Sequence, residues 1–143
     1  MNVSSILRSK GNTVETAQPD WTVARVCARL HECRVGALVV SMNGRRVDGI
    51  VSERDVIAYL ALTGPIVLDQ PVSNIMERNV VTCARDDNIA HLMETMTSRR
   101  IRHLPVQDGG ELVGIVSIGD VVKARIRETE RKATALREYI ATG

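Results

Sequence analysis

The segment GIVSERDV at residues 49–56 recurs as GIVSIGDV at residues 114–121, and this repetition decides the fold. The two copies lie 65 residues apart and share Gly, Ile, Val, Ser, Asp and Val at matching positions. Upstream, residues 14–40 align with residues 80–106 at an offset of 66. A repetition over this much of the chain indicates a duplicated structural unit, so each unit is expected to present the same elements in the same order.

Two helices are predicted in each unit. Apolar residues at helical spacing predict an amphipathic helix over residues 21–34, for which Asp20 is the capping candidate. The corresponding helix of the second unit spans residues 87–99. A further helix begins at Ser52 in the first unit and at Ser117 in the second, in each case directly after an apolar strand.

A β-hairpin is predicted between the two helices of each unit. In the first unit, strands at 37–41 and 46–52 flank the turn Asn43-Gly44. The segment Asp108-Gly109-Gly110 takes the place of that turn in the second unit. The order is therefore strand, helix, strand, strand, helix, twice, and the predicted fold class is α+β with two tandem β-α-β-β-α repeats.

The repeats divide the chain into five parts. These are an N-terminal segment at 1–13, the first repeat at 14–61, a connector at 62–79, the second repeat at 80–125 and a C-terminal helical extension at 126–143. Within the connector, VSNIM at 72–76 is predicted to form one helical turn packed on the core.

The C-terminal part carries a second periodic pattern. Between residues 117 and 142, apolar or small residues recur in alternating steps of four and three, the spacing of a helix that packs against another helix. We call this set the C-terminal seam: Val122, Ile126, Thr129, Ala133, Leu136 and Ile140. Its partner is either the domain to which the helix belongs or a second copy of the chain.

Composition excludes several classes of protein. Three scattered cysteines argue against a disulfide framework and predict a reducing, cytoplasmic location, and no stretch approaches the roughly 20 apolar residues of a membrane span. A formal net charge of +2 and the absence of Phe argue against a nucleic-acid partner, which would favour a strong positive field or aromatic stacking platforms. We expect neither a membrane nor a nucleic acid as partner.

The repeated motif Gly-Ile-Val-Ser-x-x-Asp has two interpretations. Serine followed three residues later by a carboxylate is a capping box, which needs no ligand. The same geometry also suits a nucleotide, because amides at a helix N-terminus favour phosphate and a carboxylate accepts hydrogen bonds from both ribose hydroxyls. Spacing alone leaves both interpretations open.

The duplicated GIV-Ser-x-x-Asp-Val motif, the RHLPV strand at 102–106 and the repeat order resemble a tandem CBS-domain pair from Val14 to Arg125. The resemblance implies two repeats related by a pseudo-two-fold axis, with two clefts for adenosine ligands such as AMP, ATP, NAD(H) or S-adenosylmethionine, and no required cofactor. It also implies a homodimer and a regulatory role in energy or redox sensing, exerted on a separate regulated protein.

Carried over by position, the resemblance assigns nine binding residues to the two clefts. The serines would lie near phosphate or ribose, the aspartates would hold the ribose hydroxyls, and the threonines would lie near the adenine edge. Basic side chains would meet phosphate. The first cleft takes Thr16, Ser52, Arg54 and Asp55, and the second takes Thr82, Arg102, His103, Ser117 and Asp120.

The two clefts are expected to bind with unequal affinity. Arg102 and His103 stand in the second repeat where the first has Gly36 and Ala37, so phosphate binding through the strand is expected at the second cleft, which is the preferred site. Arg99 and Arg100 extend this basic cluster, although they also suit a solvated helix end.

Two other classes of function compete with ligand sensing. A structural dimerisation or adaptor module would keep the same serines and aspartates as caps. An enzyme would need a set such as Ser117, His103 and Asp120 in hydrogen-bond contact, which the sequence does not indicate, so no catalytic residue is assigned. Cys27 and His31 have the spacing of metal ligands, but Cys27 lies on the apolar stripe and no metal ligand is assigned.

Overall fold

A computed structural model describes residues 1–11 and 13–142 of the chain. Helix α1 (Val3–Lys10) precedes the first repeat, which contains β1 (Thr16–Ala17), α2 (Val23–Cys33), β2 (Ala37–Val40), β3 (Gly49–Ser52) and α3 (Glu53–Thr63). Two 3₁₀ helices, Pro65–Asp69 and Val72–Asn74, connect it to the second repeat. That repeat contains β4 (Cys83–Ala84), α4 (Ile89–Arg99), β5 (His103–Asp108), β6 (Glu111–Ser117) and α5 (Ile118–Thr142).

Each repeat builds one three-stranded sheet, and the two sheets have the same topology. The short first strand runs parallel to the second, and the second and third form the antiparallel hairpin. Ala37 pairs with Ser52 in the first sheet and His103 pairs with Ser117 in the second. The predicted α+β fold of two β-α-β-β-α repeats is confirmed.

Helix α2 results from its apolar stripe, since Val23, Val26 and Leu30 are buried in the core of the first repeat. Its capping residue is Thr22, whose hydroxyl accepts a hydrogen bond from Arg25 N at 3.1 Å. The assignment of the cap to Asp20 was therefore wrong, because the helix begins two residues later than predicted.

Helix α1 was not predicted, and it completes the core of the second repeat. Asn2 caps the helix, and Val3, Ile6 and Leu7 are buried among the apolar residues of the second repeat. The connector packs on the first repeat in the same way, where Val72 and Ile75 are buried. Each repeat therefore receives one apolar segment from outside its own sheet and helices.

Local sequence and hydrogen bonds indicate that these two segments are equivalent. VSSIL at 3–7 matches VSNIM at 72–76 in Val, Ser and Ile. Val72 N donates to Trp21 O at 2.7 Å and Val3 N donates to Asp87 O at 3.0 Å, where Trp21 and Asp87 are aligned repeat positions. The predicted helical turn at 72–76 is confirmed as a 3₁₀ turn over Val72–Asn74.

The C-terminal helix α5 packs on its own repeat only near its beginning. Val121 and Ala124 are buried in the second core, whereas the apolar members of the C-terminal seam are exposed, from 40% for Val122 to 68% for Ile140. The alternative that the seam packs on its own domain is therefore wrong. Among the described residues, no helix has the length and apolar character needed to cross a membrane.

If α1 is an integral part of the second core, Leu7→Ala should lower the free energy of unfolding by about 2–4 kcal/mol, the cost of a core cavity. Urea denaturation monitored by circular dichroism measures this change. Arg8→Ala, at an exposed position of the same helix, serves as the control and should change stability by less than roughly 0.5 kcal/mol. Equal, small effects of the two substitutions would contradict the packing of α1.

Candidate functional site: a cleft between the repeats

A cavity of about 230 Å³ lies where the two repeats meet, and we call it the first cleft. From the first repeat it is lined by the start of α3, including Ser52, Arg54 and Asp55. From the second repeat it is lined by the segment that ends α4 and begins β5, including Arg102 and His103. Five of the nine predicted binding residues therefore meet in one cavity.

Ser52 and Asp55 form the predicted capping box at the beginning of α3. Ser52 N donates to Asp55 Oδ2 at 2.8 Å, and Asp55 N donates to Ser52 Oγ at 3.3 Å. The Ser52 hydroxyl also donates to Asp55 Oδ2 at 3.0 Å. Both side chains are half-buried at the cavity wall, so the groups that cap the helix are also within reach of a bound molecule.

The placement of Arg102 and His103 corrects the division of the clefts. The sequence assigned them to the second cleft, but their side chains line the first cleft together with Ser52 and Asp55. A Cβ atom on Gly36 would lie 3.2 Å from His103 Cε1, so the missing side chain at Gly36 leaves room for the imidazole. The first cleft therefore contains the two strand residues, Arg102 and His103, that the sequence predicted it would lack for phosphate binding.

Charges of both signs surround the first cleft. Three arginines line it, Arg54, Arg100 and Arg102, and so do three acidic residues, Glu53, Asp55 and Glu77. Arg100 was predicted as part of a basic cluster, whereas Glu77 was missed because it lies in the connector. Its backbone pairs with Ile50 of β3, where Glu77 N donates to Ile50 O at 2.8 Å, and no sequence signal pointed to this pairing.

His103 is half-buried between the first cleft and the second serine–aspartate pair. Desolvation lowers its pKa below the ordinary value of 6.5, and the nearby positive charges of Lys10 and Arg102 lower it further. The negative charges of Glu53 and Asp120 raise the pKa of His103, but by less than the other groups lower it. The imidazole is therefore neutral at neutral pH and offers a hydrogen bond to a ligand, with the positive charges supplied by the arginines.

The second serine–aspartate pair has similar capping geometry but a different neighbour. Ser117 N donates to Asp120 Oδ2 at 2.9 Å, and Asp120 N donates to Ser117 Oγ at 3.2 Å. Lys10 Nζ of α1 also donates to Asp120 Oδ2, at 2.7 Å. Burial would raise the pKa of Asp120, but the hydrogen bonds from Lys10 and Ser117 hold it below its ordinary value.

The two predicted threonines do not line the first cleft. Thr16 borders a separate shallow depression beside Trp21 and Arg25, whose guanidinium carbon lies 4.0 Å from the centre of the indole ring. Thr82 is half-buried just before β4. Their assignment to the adenine edge stays a prediction from the resemblance.

Cys27 packs against the first core, as the apolar stripe of α2 predicted. Burial raises the pKa of its thiol, and burial likewise raises the pKa of Cys83 to about 12. Both thiols are therefore protonated at neutral pH. Within residues 1–11 and 13–142, no three His, Cys, Asp or Glu side chains are grouped to hold a metal ion.

Comparison with known proteins identifies the family of the chain. The model of the CBS domain matches the chain twice, over residues 3–62 and 72–127. This chain belongs to the CBS-domain family. The two matches begin at Val3 and Val72, the residues that open the equivalent segments of α1 and the connector. The bounds 14–61 and 80–125 for the repeats stay predictions of the sequence.

Several CBS-domain proteins are similar to most of this chain. A mitochondrial CBS domain-containing protein of Arabidopsis thaliana is 32% identical, over 99% of this chain and 72% of its own length. The crystal structure of a CBS-domain-containing protein from Agrobacterium tumefaciens is 44% identical with a TM-score of 0.84, covering 87% of this chain and 99% of that one. A CBS domain protein from Pyrobaculum aerophilum, solved in complex with AMP, is 30% identical with a TM-score of 0.73, covering 84% and 89%.

The lowered pKa of His103 predicts a stability change with pH. Because His103 is protonated less readily in the folded than in the unfolded chain, its contribution to stability is present above about pH 6.5 and is lost as the pH falls through the folded pKa. Urea denaturation at about pH 7.5 and about pH 5.5 should give a larger loss of stability for the wild type than for His103→Asn. His91→Asn, at an exposed position of α4, is the control and should behave as the wild type. Equal losses for the wild type and His103→Asn would contradict this assignment.

Proposed function

We propose that this CBS pair is a regulatory module that binds an adenosine ligand in the first cleft. The observation that carries the proposal is the meeting of Ser52, Asp55 and Arg54 with Arg102 and His103 in one cavity between the repeats. Carboxylate, hydroxyl and guanidinium groups converge there from two repeats, which is the arrangement expected of a binding site for a small polar molecule. We propose no catalytic role.

The chemistry of the cleft suits the parts of a nucleotide. Asp55 accepts hydrogen bonds from the ribose hydroxyls, and the apolar side chains of Ile50 and Ile101 contact the base. Arg54 and Arg102 bind phosphate oxygens, because a guanidinium donates two parallel hydrogen bonds to such an anion. The volume of about 230 Å³ lies just below the roughly 300–1,000 Å³ of typical ligand pockets, so the phosphates extend to the mouth of the cleft.

AMP is the first ligand to test. The relative from Pyrobaculum aerophilum was crystallised with AMP and covers most of this chain. ATP, NAD(H) and S-adenosylmethionine share the adenosine part and belong in the same panel, with GMP as the control for the base. A ligand at a hundred times its dissociation constant stabilises the folded state by about 2.7 kcal/mol, which a thermal-shift measurement detects. We expect the adenine ligands to raise the melting temperature and GMP to leave it unchanged.

Asp55→Asn tests the ribose assignment. The substitution removes the negative charge but keeps an oxygen that caps α3, so the fold should survive. We expect the dissociation constant of AMP, measured by calorimetry, to rise at least about tenfold, because a hydrogen bond to a charged group is lost.

Asp48→Asn is the matched control for this variant. Asp48 Oδ2 also accepts a backbone hydrogen bond, from Met42 N at 2.8 Å, but the residue borders a different depression. Its replacement should leave AMP affinity as in the wild type. An Asp55→Asn protein that binds AMP as tightly as the wild type would refute the ribose assignment.

A structural adaptor is the second candidate function. It is favoured by the completeness of the capping box, since Ser52 and Asp55 satisfy one another at the helix start. A panel in which no adenosine ligand changes the melting temperature at millimolar concentration would favour the adaptor over the sensor.

The output of the module is proposed to be a homodimer or a contact with a regulated protein, responding to the energy or redox state of the cell. Exposed apolar side chains on α3 and α5, among them Ile57, Leu62 and Ile126, supply the surface for a second copy. A cytoplasmic location stays part of the proposal, and the relative from Arabidopsis thaliana is named as mitochondrial.

The dimer is tested at the C-terminal seam. Ile126 is 53% exposed, so Ile126→Glu should leave the monomer folded while placing a charge in the proposed interface. Light scattering after size-exclusion chromatography should give the mass of two chains for the wild type and of one chain for this variant. Thr134→Glu, at an exposed polar position of α5, should remain a dimer. A wild type with the mass of one chain would refute the proposed homodimer.

A further inference from the structure

The last turn of α1 lies against the second serine–aspartate pair. Lys10 Nζ donates to Asp120 Oδ2 at 2.7 Å and to Ile115 O at 2.9 Å, so the ammonium group bridges strand β6 and the beginning of α5. The side chains of Lys10 and Asp120 are 36% and 22% exposed, which places their ion pair at the edge of the protein and not in bulk solvent.

The first repeat has no ammonium group at the corresponding place within the described part of the chain. Ile50 is the counterpart of Ile115, and its carbonyl accepts a hydrogen bond from the backbone amide of Glu77 at 2.8 Å. The connector supplies this amide because its 3₁₀ turn ends at Asn74 and Glu77 then forms an isolated antiparallel bridge with Ile50 of β3. Helix α1 instead remains helical as far as Lys10, and the lysine side chain satisfies the equivalent carbonyl.

The two carboxylates consequently have different partners. Asp55 accepts hydrogen bonds from Ser52 alone among residues 1–11 and 13–142, whereas Asp120 also holds Lys10. Ile50 and Asp55 both line the first cleft. Lys10 contacts their counterparts, Ile115 and Asp120, so its ammonium group lies against the carboxylate that the sequence assigns to the second cleft.

We propose that Lys10 determines which cleft binds the ribose, by holding Asp120 and so disfavouring the second cleft. The inference rests on the proposed function, in which the aspartates accept the ribose hydroxyls. A ribose hydroxyl is a neutral donor, and it would have to compete for Asp120 with the charge-assisted hydrogen bond from Lys10. The first cleft is therefore the principal site, although both repeats carry the same serine and aspartate.

The test is the number of AMP molecules bound per chain, measured by calorimetry with the full chain. The wild type should bind one AMP tightly. Lys10→Met keeps the length of the side chain and removes its charge, and it should either bind two AMP molecules or tighten the second binding event at least about tenfold. Lys10→Arg retains the positive charge and should bind one, as the wild type does.

Two further variants test whether the added binding event requires Asp120 and whether it is specific to Lys10. In the Lys10→Met protein, Asp120→Asn should remove the added binding event, because that event requires the released carboxylate. A cavity between α1 and α5 is lined by Lys10, Asp120 and Lys123, and Lys123→Met removes the second ammonium group of that cavity. No hydrogen bond joins Lys123 to Asp120 in the described ranges 1–11 and 13–142, so this variant should bind one AMP.

The outcomes separate this inference from the proposed function. A wild type that binds two AMP molecules with equal affinity, or a Lys10→Met protein that gains nothing while the first cleft still binds, overturns the role of Lys10 alone. A third outcome is that the wild type binds no AMP but the Lys10→Met protein binds AMP in a way that requires Asp120. This outcome supports the role of Lys10 and refutes the proposal that the first cleft is the binding site. Absence of binding in all variants overturns both proposals.

Discussion

In each repeat, a close contact between an apolar side chain and a glycine of the hairpin joins the sheet to the segment that covers it. Met76 lies against Gly49 of β3, where a Cβ atom would approach its Sδ to 2.6 Å. Leu7 lies against Gly114 of β6, where a Cβ atom would approach its Cδ2 to 2.7 Å. A Cβ atom at either glycine would force the Met76 or Leu7 side chain to shift, and at Gly49 it would also lie 3.0 Å from the backbone oxygen of Glu77. The two contacts hold the connector and α1 against sheets that would otherwise expose an apolar face.

The backbone conformation after each of these contacts makes the repeats different. After the 3₁₀ turn of the connector the chain is no longer helical, and the backbone of Glu77 pairs with Ile50 beside the first cleft. After Leu7 the chain stays helical, which carries Lys10 to the carbonyl of Ile115 and the carboxylate of Asp120. The carbonyl groups of Ile50 and Ile115 both need a hydrogen-bond donor. The neutral backbone amide of Glu77 donates to Ile50, and the charged ammonium group of Lys10 donates to Ile115. The difference in charge therefore originates in backbone conformation.

Much of the fold could be predicted from the sequence because the repeat fixed the order of the elements and the hydrophobic spacing fixed their type. The stripe Val23, Val26 and Leu30 specified α2, and the pattern at 72–76 specified the turn on the core. Helix α1 was missed, although VSSIL at 3–7 repeats VSNIM at 72–76. That match is five residues long and lies 69 positions apart, outside the offsets of 65 and 66 that align the rest, so it does not stand out.

The residues of the candidate site could be predicted from the sequence, but which of them share a cleft could not. Alignment of the two repeats places Arg102 and His103 in the same unit as Ser117, and it carries no information about which unit they face across the interface. Packing decides that, because Gly36 leaves space for His103 beside the first serine–aspartate pair. The capping box itself cannot distinguish a binding cleft from a helix start, since both copies form it. The chemistry of each carboxylate therefore depends on its surroundings, because the arginines of the other repeat line the same cavity as Asp55, whereas the lysine of α1 donates directly to Asp120.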